Sequence, residues 1–265
     1  MRNIAYVLSG IMCVLVFFAC KKQSDPTIPP PFYPPNDTTL HTAGPLQILL
    51  DVSNGISVYN AWGKLVAMKS DSATVLSPGD TVHVGGQYGI AFFVDSNLVN
   101  TLDAGTLTLN SVNIPHPAQY FSYKGVTNSL ATGADWVGSG TASVPAISYF
   151  FSGGFPSYTG KFPYSVSKAN GMQFTFNSST LNYADSIYVI LSTVDSGNII
   201  TYSQVFSATA GAVNITGSAF NYLPASTIQQ AHLTLIPFKY TSAAFGDKKF
   251  VFVKEAELSH TVVIQ

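Results

Sequence analysis

Short apolar runs separated by turn-forming residues constrain the fold of this chain more than any other feature. From about residue 46 onward, runs rich in β-branched and aromatic residues alternate with clusters of Gly, Asn, Asp, Ser and Pro, at intervals of roughly 8–15 residues. Residues 46–50, 90–94 and 105–109 are examples. No long stretch keeps the apolar period of about 3.6 residues that an amphipathic helix requires. The sequence therefore predicts an all-β fold.

The second half of the chain shows this pattern most clearly. Met172, Phe174 and Phe176 alternate with polar residues, as in a strand with one buried face. Asp195-Ser196-Gly197-Asn198 separates two apolar runs and predicts a β-hairpin. The strands expected in this half are residues 164–167, 172–176, 186–194, 199–206, 213–215, 232–236, 250–253 and 261–264. Their number and spacing resemble an immunoglobulin-like or fibronectin-III-like sandwich.

The first half of the chain, residues 45–153, also contains strand-like runs but is harder to divide. Residues 54–86 are rich in turn-forming residues and are expected to be irregular. A boundary is predicted near Ser152-Gly153-Gly154, so that residues 45–153 and 154–265 form two tandem antiparallel β-sandwich domains. A single larger sandwich is the alternative.

The N-terminal segment has the pattern of a cleaved leader. Arg2 precedes an uncharged apolar stretch over residues 4–18, and Phe17-Phe18-Ala19-Cys20 closes it. At about 1.5 Å per residue this stretch reaches about 22 Å, short of the roughly 30 Å hydrocarbon core of a bilayer. The segment resembles the lipobox of bacterial lipoprotein signal peptides, in which a small residue precedes the cysteine that receives the lipid. We therefore expect residues 1–19 to be a signal peptide.

This resemblance implies a lipid anchor on Cys20, with fatty acyl chains such as palmitate attached to the new N-terminal residue. Two or more acyl chains attach a protein durably to a membrane, whereas one chain binds marginally. Lys21-Lys22 follow the cysteine where lipoproteins retained in the inner membrane carry Asp. The resemblance therefore favours the outer membrane, either its periplasmic face or the cell surface, and makes the membrane a partner through the anchor.

Residues 20–44 are expected to be the lipidated cysteine and an extended tether. Proline fixes φ and has no N–H to donate, so a proline-rich stretch favours polyproline II over a folded element. A ligand for an aromatic groove is the alternative reading of this segment. The prolines of the tether are Pro26, Pro29, Pro30, Pro31, Pro34 and Pro35.

Charge and ligand spacing exclude several functions. Removing residues 1–19 takes away Arg2, which leaves 11 basic against 13 acidic residues, a formal charge of −2. No basic patch indicates nucleic acid as a partner. Cys13 leaves with the leader, so neither a disulfide nor a free thiol nucleophile is expected. No metal or other cofactor is predicted, because the histidines show no paired spacing: His41, His83, His116, His232 and His260.

Aromatic residues in the middle of the chain are the candidate binding residues. Trp136, Tyr149, Phe151 and Tyr158 lie in or near strand-like runs. A consecutive run such as residues 149–151 must place rings on both faces of its strand. Rings that face solvent among Ser, Thr and Asn are typical of sites for sugars or protein partners. A contact between the two predicted domains is the alternative use of these rings.

Glu255 and Glu257 are the candidates for a catalytic role. They lie two residues apart on one predicted strand and therefore share a face of it. Glycosidases use two carboxylates about 5–9.5 Å apart, which this spacing allows. However, the exposed side of a terminal strand is a common position for such residues, and we expect both to lie there without a catalytic role.

The sequence thus favours a non-catalytic binding or structural module of the cell envelope, with a glycan or an envelope protein as its ligand. Two alternatives stay open. One is a carbohydrate-active enzyme, and the other is an accessory subunit of an outer-membrane polysaccharide-uptake or secretion complex.

Overall fold

The computed structural model describes residues 61–77, 80–95, 100–116, 122–127, 130, 132–195, 198–226 and 231–265. Strands dominate these ranges, beside two short 3-10 helices at Ala208–Ala210 and Gly217–Phe220, so the predicted all-β class is confirmed. In chain order the strands are β1 Ala61–Ser77, β2 Asp80–Phe93, β3 Leu107–Leu109, β4 Val112–Asn113, β5 Tyr123–Val126, β6 Gly133–Gly138, β7 Ile147–Ser152, β8 Ser157–Tyr158, β9 Ser165–Val166, β10 Met172–Thr175, β11 Leu181–Asn182, β12 Ser186–Asp195, β13 Asn198–Ser207, β14 Ala212–Ile215, β15 Ala231–Phe245 and β16 Lys248–Ile264.

One large sheet carries strands from both halves of the chain. Its order is β13-β12-β15-β16-β1-β2-β5, and the short β9 pairs with β16. β1 and β16 lie side by side in parallel and pair over most of their length, from Ala61 opposite Lys249 to Ala73 opposite His260. The other pairs along this path are antiparallel. Strands far apart in sequence therefore meet at the centre of the sheet.

Two smaller layers cover one face of the large sheet. The first covering layer is the four-stranded sheet β4-β3-β6-β7, whose Leu107 and Trp136 pack with Phe250 and Phe252 of β16. The second covering layer consists of the pairs β10-β14 and β8-β11, and it packs with the later part of β16, including Val262. Every second residue of β16 points to this covered face, because successive side chains of a strand point to opposite faces. The residues near the start of β16 pack in the first core, and those near its end pack in the second.

The opposite face of the large sheet carries a third cluster of buried residues. Its members belong to the strands of that sheet, and they include Met68, Tyr188, Ile236, Phe238 and Val253. Glu255 lies opposite Met68 and opposite Phe238, so its carboxyl group shares this face. Both faces of the central strands therefore contribute buried apolar residues.

Two predictions about the strands are wrong. Residues 61–77 form β1 and residues 80–86 begin β2, although residues 54–86 are expected to be irregular; the predicted run 90–94 lies in the later part of β2 up to Phe93. The predicted strands 250–253 and 261–264 are parts of one strand of 17 residues. The residues between them stay extended because they pair with β1 on one side and with β15 on the other. A hydrogen-bonded neighbour on each side outweighs the weak strand preference of Lys and Glu.

Other predictions about the second half are confirmed. β12 and β13 form the expected hairpin, in which Asp195 pairs with Asn198. Met172 and Phe174 are buried while the residues that follow them are exposed. The division into two tandem immunoglobulin-like domains is not confirmed, because the large sheet spans both predicted domains. The signal peptide, Cys20, the tether and the run 46–50 lie outside the described residues.

Candidate functional site

A buried lysine joins the large sheet to the segment that links the two covering layers. Lys254 is 1% exposed, and its side chain lies on the covered face of β16. Its ammonium group donates to the carbonyl oxygens of Ser152, Gly153 and Gly154 at 2.8, 2.8 and 2.9 Å. It also lies 4.4 Å from the ring centroid of Phe151. Burial lowers the pKa of Lys254, and the nearby charge of Lys239 lowers it further.

These contacts hold the connection between β7 and β8, residues 153–156, against the sheet. An ammonium group has three N–H donors, and each has a carbonyl partner here. Gly153 adopts φ 83, a left-handed conformation that suits glycine and allows the chain to turn at this point. The position of the connection is therefore set by a charged side chain about one hundred residues further along the chain.

A groove lies between this connection and the large sheet; we call it the connection groove. Its volume is about 980 Å³. The sheet supplies the floor through β1, β2, β5 and β16, and the connection and β8 supply one wall. The residues that line the groove are Lys69, Ser70, Asp71, Gly85, Gly86, Gln87, Val126, Thr127, Gly154, Phe155, Pro156, Ser157, Tyr158, Tyr183, Ala256, Glu257 and Leu258.

Tyr183 is the most exposed aromatic ring of the connection groove. It is 65% exposed and has φ 55, which is uncommon for a residue with a bulky side chain. Its ring lies directly over Gly154, where an added Cβ would come within 2.6 Å of a ring carbon. Such a backbone conformation costs on the order of 1 kcal/mol or more and is found most often at functional sites. The glycine thus creates the space in which an exposed ring is held.

Polar side chains lie on the floor beside these rings. Lys69 pairs with Gln87 and with Ala256 on its two sides, so the three side chains point to the covered face. The Lys69 ammonium lies 4.8 Å from the ring centroid of Phe155. The side-chain oxygen of Gln87 accepts a hydrogen bond from the backbone N–H of Leu130 at 2.8 Å. The side-chain nitrogen of Gln87 carries two further N–H donors. The groove therefore combines aromatic rings with donors and acceptors.

The aromatic residues predicted to bind a ligand lie mainly in the core. Trp136 is fully buried, and Phe151 and Tyr158 are buried as well. Tyr149 is half-buried and stacks on Phe252 with ring centroids 4.1 Å apart. The solvent-facing platform expected from these residues is therefore not formed. The rings of Trp136, Tyr149 and Phe151 pack in the core of the first covering layer, and the ring of Tyr158 packs in the core of the second. Tyr158 nevertheless borders the connection groove.

The two glutamates share a face, as predicted, but they are not on an exposed side of a terminal strand. Glu255 is 1% exposed, because β16 is central in the sheet. Burial, together with the nearby charge of Glu257, raises the pKa of Glu255 to about 8. Burial also raises the pKa of Glu257. Both side chains point away from the covered face, so the pair does not flank the connection groove.

Among the histidines whose side chains the structure describes, His116 is exposed, whereas His232 and His260 are half-buried. His116 stacks on Tyr123, and His260 stacks on Phe162. Burial lowers the pKa of His232. No group of three His, Cys, Asp or Glu side chains that could hold a metal ion occurs among the described residues. Within the same ranges, no helix is both long and apolar enough to cross a bilayer.

Sequence reasoning missed the residues that build the connection groove. Lys254 interrupts an apolar run, and a lone lysine between Val253 and Glu255 was a signal for an unusual buried cation. Ser152-Gly153-Gly154 was recognised as a boundary but not as the wall of a site. Tyr183 carried no local signal, because its position over Gly154 depends on the tertiary fold.

Comparison with known proteins adds no further assignment. No protein-family model, curated protein or solved structure matches this chain.

Proposed function

We propose that this chain is a non-catalytic binding module of the cell envelope, anchored to the outer membrane by lipid on Cys20 and held away from it by residues 21–44. Its ligand is a glycan or an envelope protein, and the connection groove receives it. The supporting observation is the exposed, positioned ring of Tyr183 above a polar floor. We also propose two sandwich lobes, residues 45–153 and 154–265, of immunoglobulin-like character and sharing one sheet.

The arrangement of the acidic residues supports binding over catalysis. A glycosidase requires two carboxylates on the two sides of one cleft. Asp71 and Glu257 are the acidic residues in the groove lining that the structure describes. Asp71 pairs with Leu258, so the side chain of Glu257 points to the other face of the sheet. The carbohydrate-active enzyme is therefore the weaker alternative, while an accessory subunit of an uptake or secretion complex stays compatible with a binding groove.

Binding is tested with the mature chain in which Cys20→Ser keeps the protein soluble. The protein is applied to an array of envelope and plant glycans, and in parallel to a pull-down from detergent-solubilised envelopes. We expect the parent protein to capture a defined glycan or protein, and we expect the Tyr183→Ala variant to bind the same ligand at least about ten-fold more weakly. Capture that is equal for both proteins, or no capture at all, contradicts binding through this groove.

A further inference from the structure

We propose that the ligand of the connection groove is a neutral oligosaccharide, one ring of which stacks on Tyr183. This inference rests on the proposed binding function and names its ligand class. Three properties of the groove support it: the aromatic side chains, the charge of the floor, and the size and openness of the site.

The ring of Tyr183 offers a flat apolar surface that is held in place before any ligand arrives. Gly154 lies beneath it, and Lys254 fixes the Gly154 carbonyl at 2.9 Å. The C–H face of a sugar is apolar and weakly positive, which suits the negative face of an aromatic ring. A ring that is already positioned loses little conformational entropy on binding. An exposed tyrosine supported in this way is better suited to stacking than one at the end of a free loop.

The floor of the groove offers hydrogen bonds but little net charge. Lys69 and Asp71 carry opposite charges and lie two residues apart on the same face of β1. Together with the amide of Gln87 they present donors and acceptors to a ligand rich in hydroxyl groups. An anionic ligand would be repelled by Asp71, and a cationic one by Lys69. The balance of charges therefore favours a neutral polyol over an acidic polysaccharide.

The size of the groove suits more than one sugar unit. Its volume of about 980 Å³ lies at the upper end of the range of small-molecule sites, about 300–1,000 Å³. Tyr183 in its lining is 65% exposed and Asp71 is exposed as well, so the site is open to solvent. An open groove of this size accommodates an internal stretch of a chain.

Titration calorimetry of the soluble mature chain tests the ligand class. The probes are neutral hexamers of β-1,4-linked glucose, α-1,4-linked glucose and β-1,4-linked N-acetylglucosamine, with a hexamer of galacturonic acid as the acidic comparison. We expect at least one neutral hexamer to bind more tightly than the acidic one. Tyr183→Ala should weaken that binding about ten-fold or more, whereas Tyr183→Phe, which keeps the ring, should change it less than about three-fold.

Two further variants separate stacking from general surface effects. Tyr164→Ala removes a tyrosine that is 76% exposed and does not line the groove, and it should leave binding unchanged. Gly154→Ala adds a methyl group 2.6 Å from the Tyr183 ring, which must move, so binding should fall although no ligand-contacting side chain is removed. Unfolding midpoints measured for each variant show whether a loss of binding is a loss of fold.

The outcomes distinguish this inference from the function on which it depends. If no neutral hexamer binds but an envelope protein or acidic glycan is captured in a Tyr183-dependent manner, the ligand class is wrong and the binding function stands. If neutral hexamers bind equally to the Tyr183→Ala and Tyr164→Ala variants, the stacking role of Tyr183 is overturned. If neither the calorimetry nor the pull-down detects a ligand, both proposals fail.

Discussion

Glu255 offers the sharpest test of the packing described above. Its side chain is 1% exposed and lies between Met68 and Phe238 on neighbouring strands. Burial, and to a smaller extent the charge of Glu257, raises the pKa of this carboxyl group from its ordinary value of 4.5 to about 8. The folded protein therefore keeps Glu255 protonated at neutral pH, whereas the unfolded chain ionises it.

The sign of the effect on stability follows from proton binding. Between pH 4.5 and about 8 the folded state holds a proton that the unfolded state has lost, so the free energy of unfolding falls as the pH rises. The slope is about 1.36 kcal/mol per pH unit. From pH 4.5 to 7 this amounts to about 3 kcal/mol. Glu255→Gln keeps the size of the side chain but cannot ionise, so it should be more stable than the parent by about 3 kcal/mol at pH 7 and by little at pH 4.

Urea unfolding of the soluble mature chain at intervals from pH 4 to pH 9 measures this difference. Asp247→Asn, in an exposed hairpin turn, is the matched control and should follow the parent closely. Glu257 contributes a slope of the same sign to every variant, so the difference between parent and Glu255→Gln reports Glu255 together with its coupling to Glu257. Stability curves of the two proteins that run parallel from pH 4.5 to 8 would refute the burial of this carboxyl group in a low-dielectric environment.

Three other predictions test the connection, the contact of β5 with the segment that precedes β3, and the anchor. Lys254→Met leaves three carbonyl groups without their donor and should lower the free energy of unfolding by about 3 kcal/mol or more, measured by urea unfolding. Lys239→Met, on the adjacent strand and much more exposed, should cost less than about 1 kcal/mol, and equal losses would contradict the role of Lys254. Tyr123→Phe removes the hydroxyl group that accepts a hydrogen bond from the Ala104 N–H at 2.9 Å, so the free energy of unfolding should fall by about 1–3 kcal/mol. A melting temperature unchanged within error would contradict this expectation. Cys20→Ser should move the protein from the membrane pellet to the soluble fraction on cell fractionation, and a variant that still pellets argues against the lipid anchor.

Much of the local structure could be read from the sequence. The alternation of Met172 and Phe174 with polar residues predicted a half-buried strand, and the structure has one there. Asp195 and Asn198 marked a hairpin that the pairing of β12 with β13 confirms. Both features depend on residues within a few positions of one another, and the side-chain period of a strand acts over the same distance. The all-β class follows from the repetition of such local patterns.

Contacts over long sequence separations decided the rest. β16 looks like two strands in the sequence because Lys254, Glu255 and Glu257 interrupt its apolar pattern. Pairing with β1 and β15 makes it continuous, and neither neighbour can be inferred from nearby residues. The connection groove arises in the same way, since a lysine on the last strand holds carbonyl groups about one hundred positions earlier. Local sequence determines which segments are extended and which face of each is apolar, whereas strand order determines which polar groups are buried together. That order is set by the total free energy of packing, which no single segment contains.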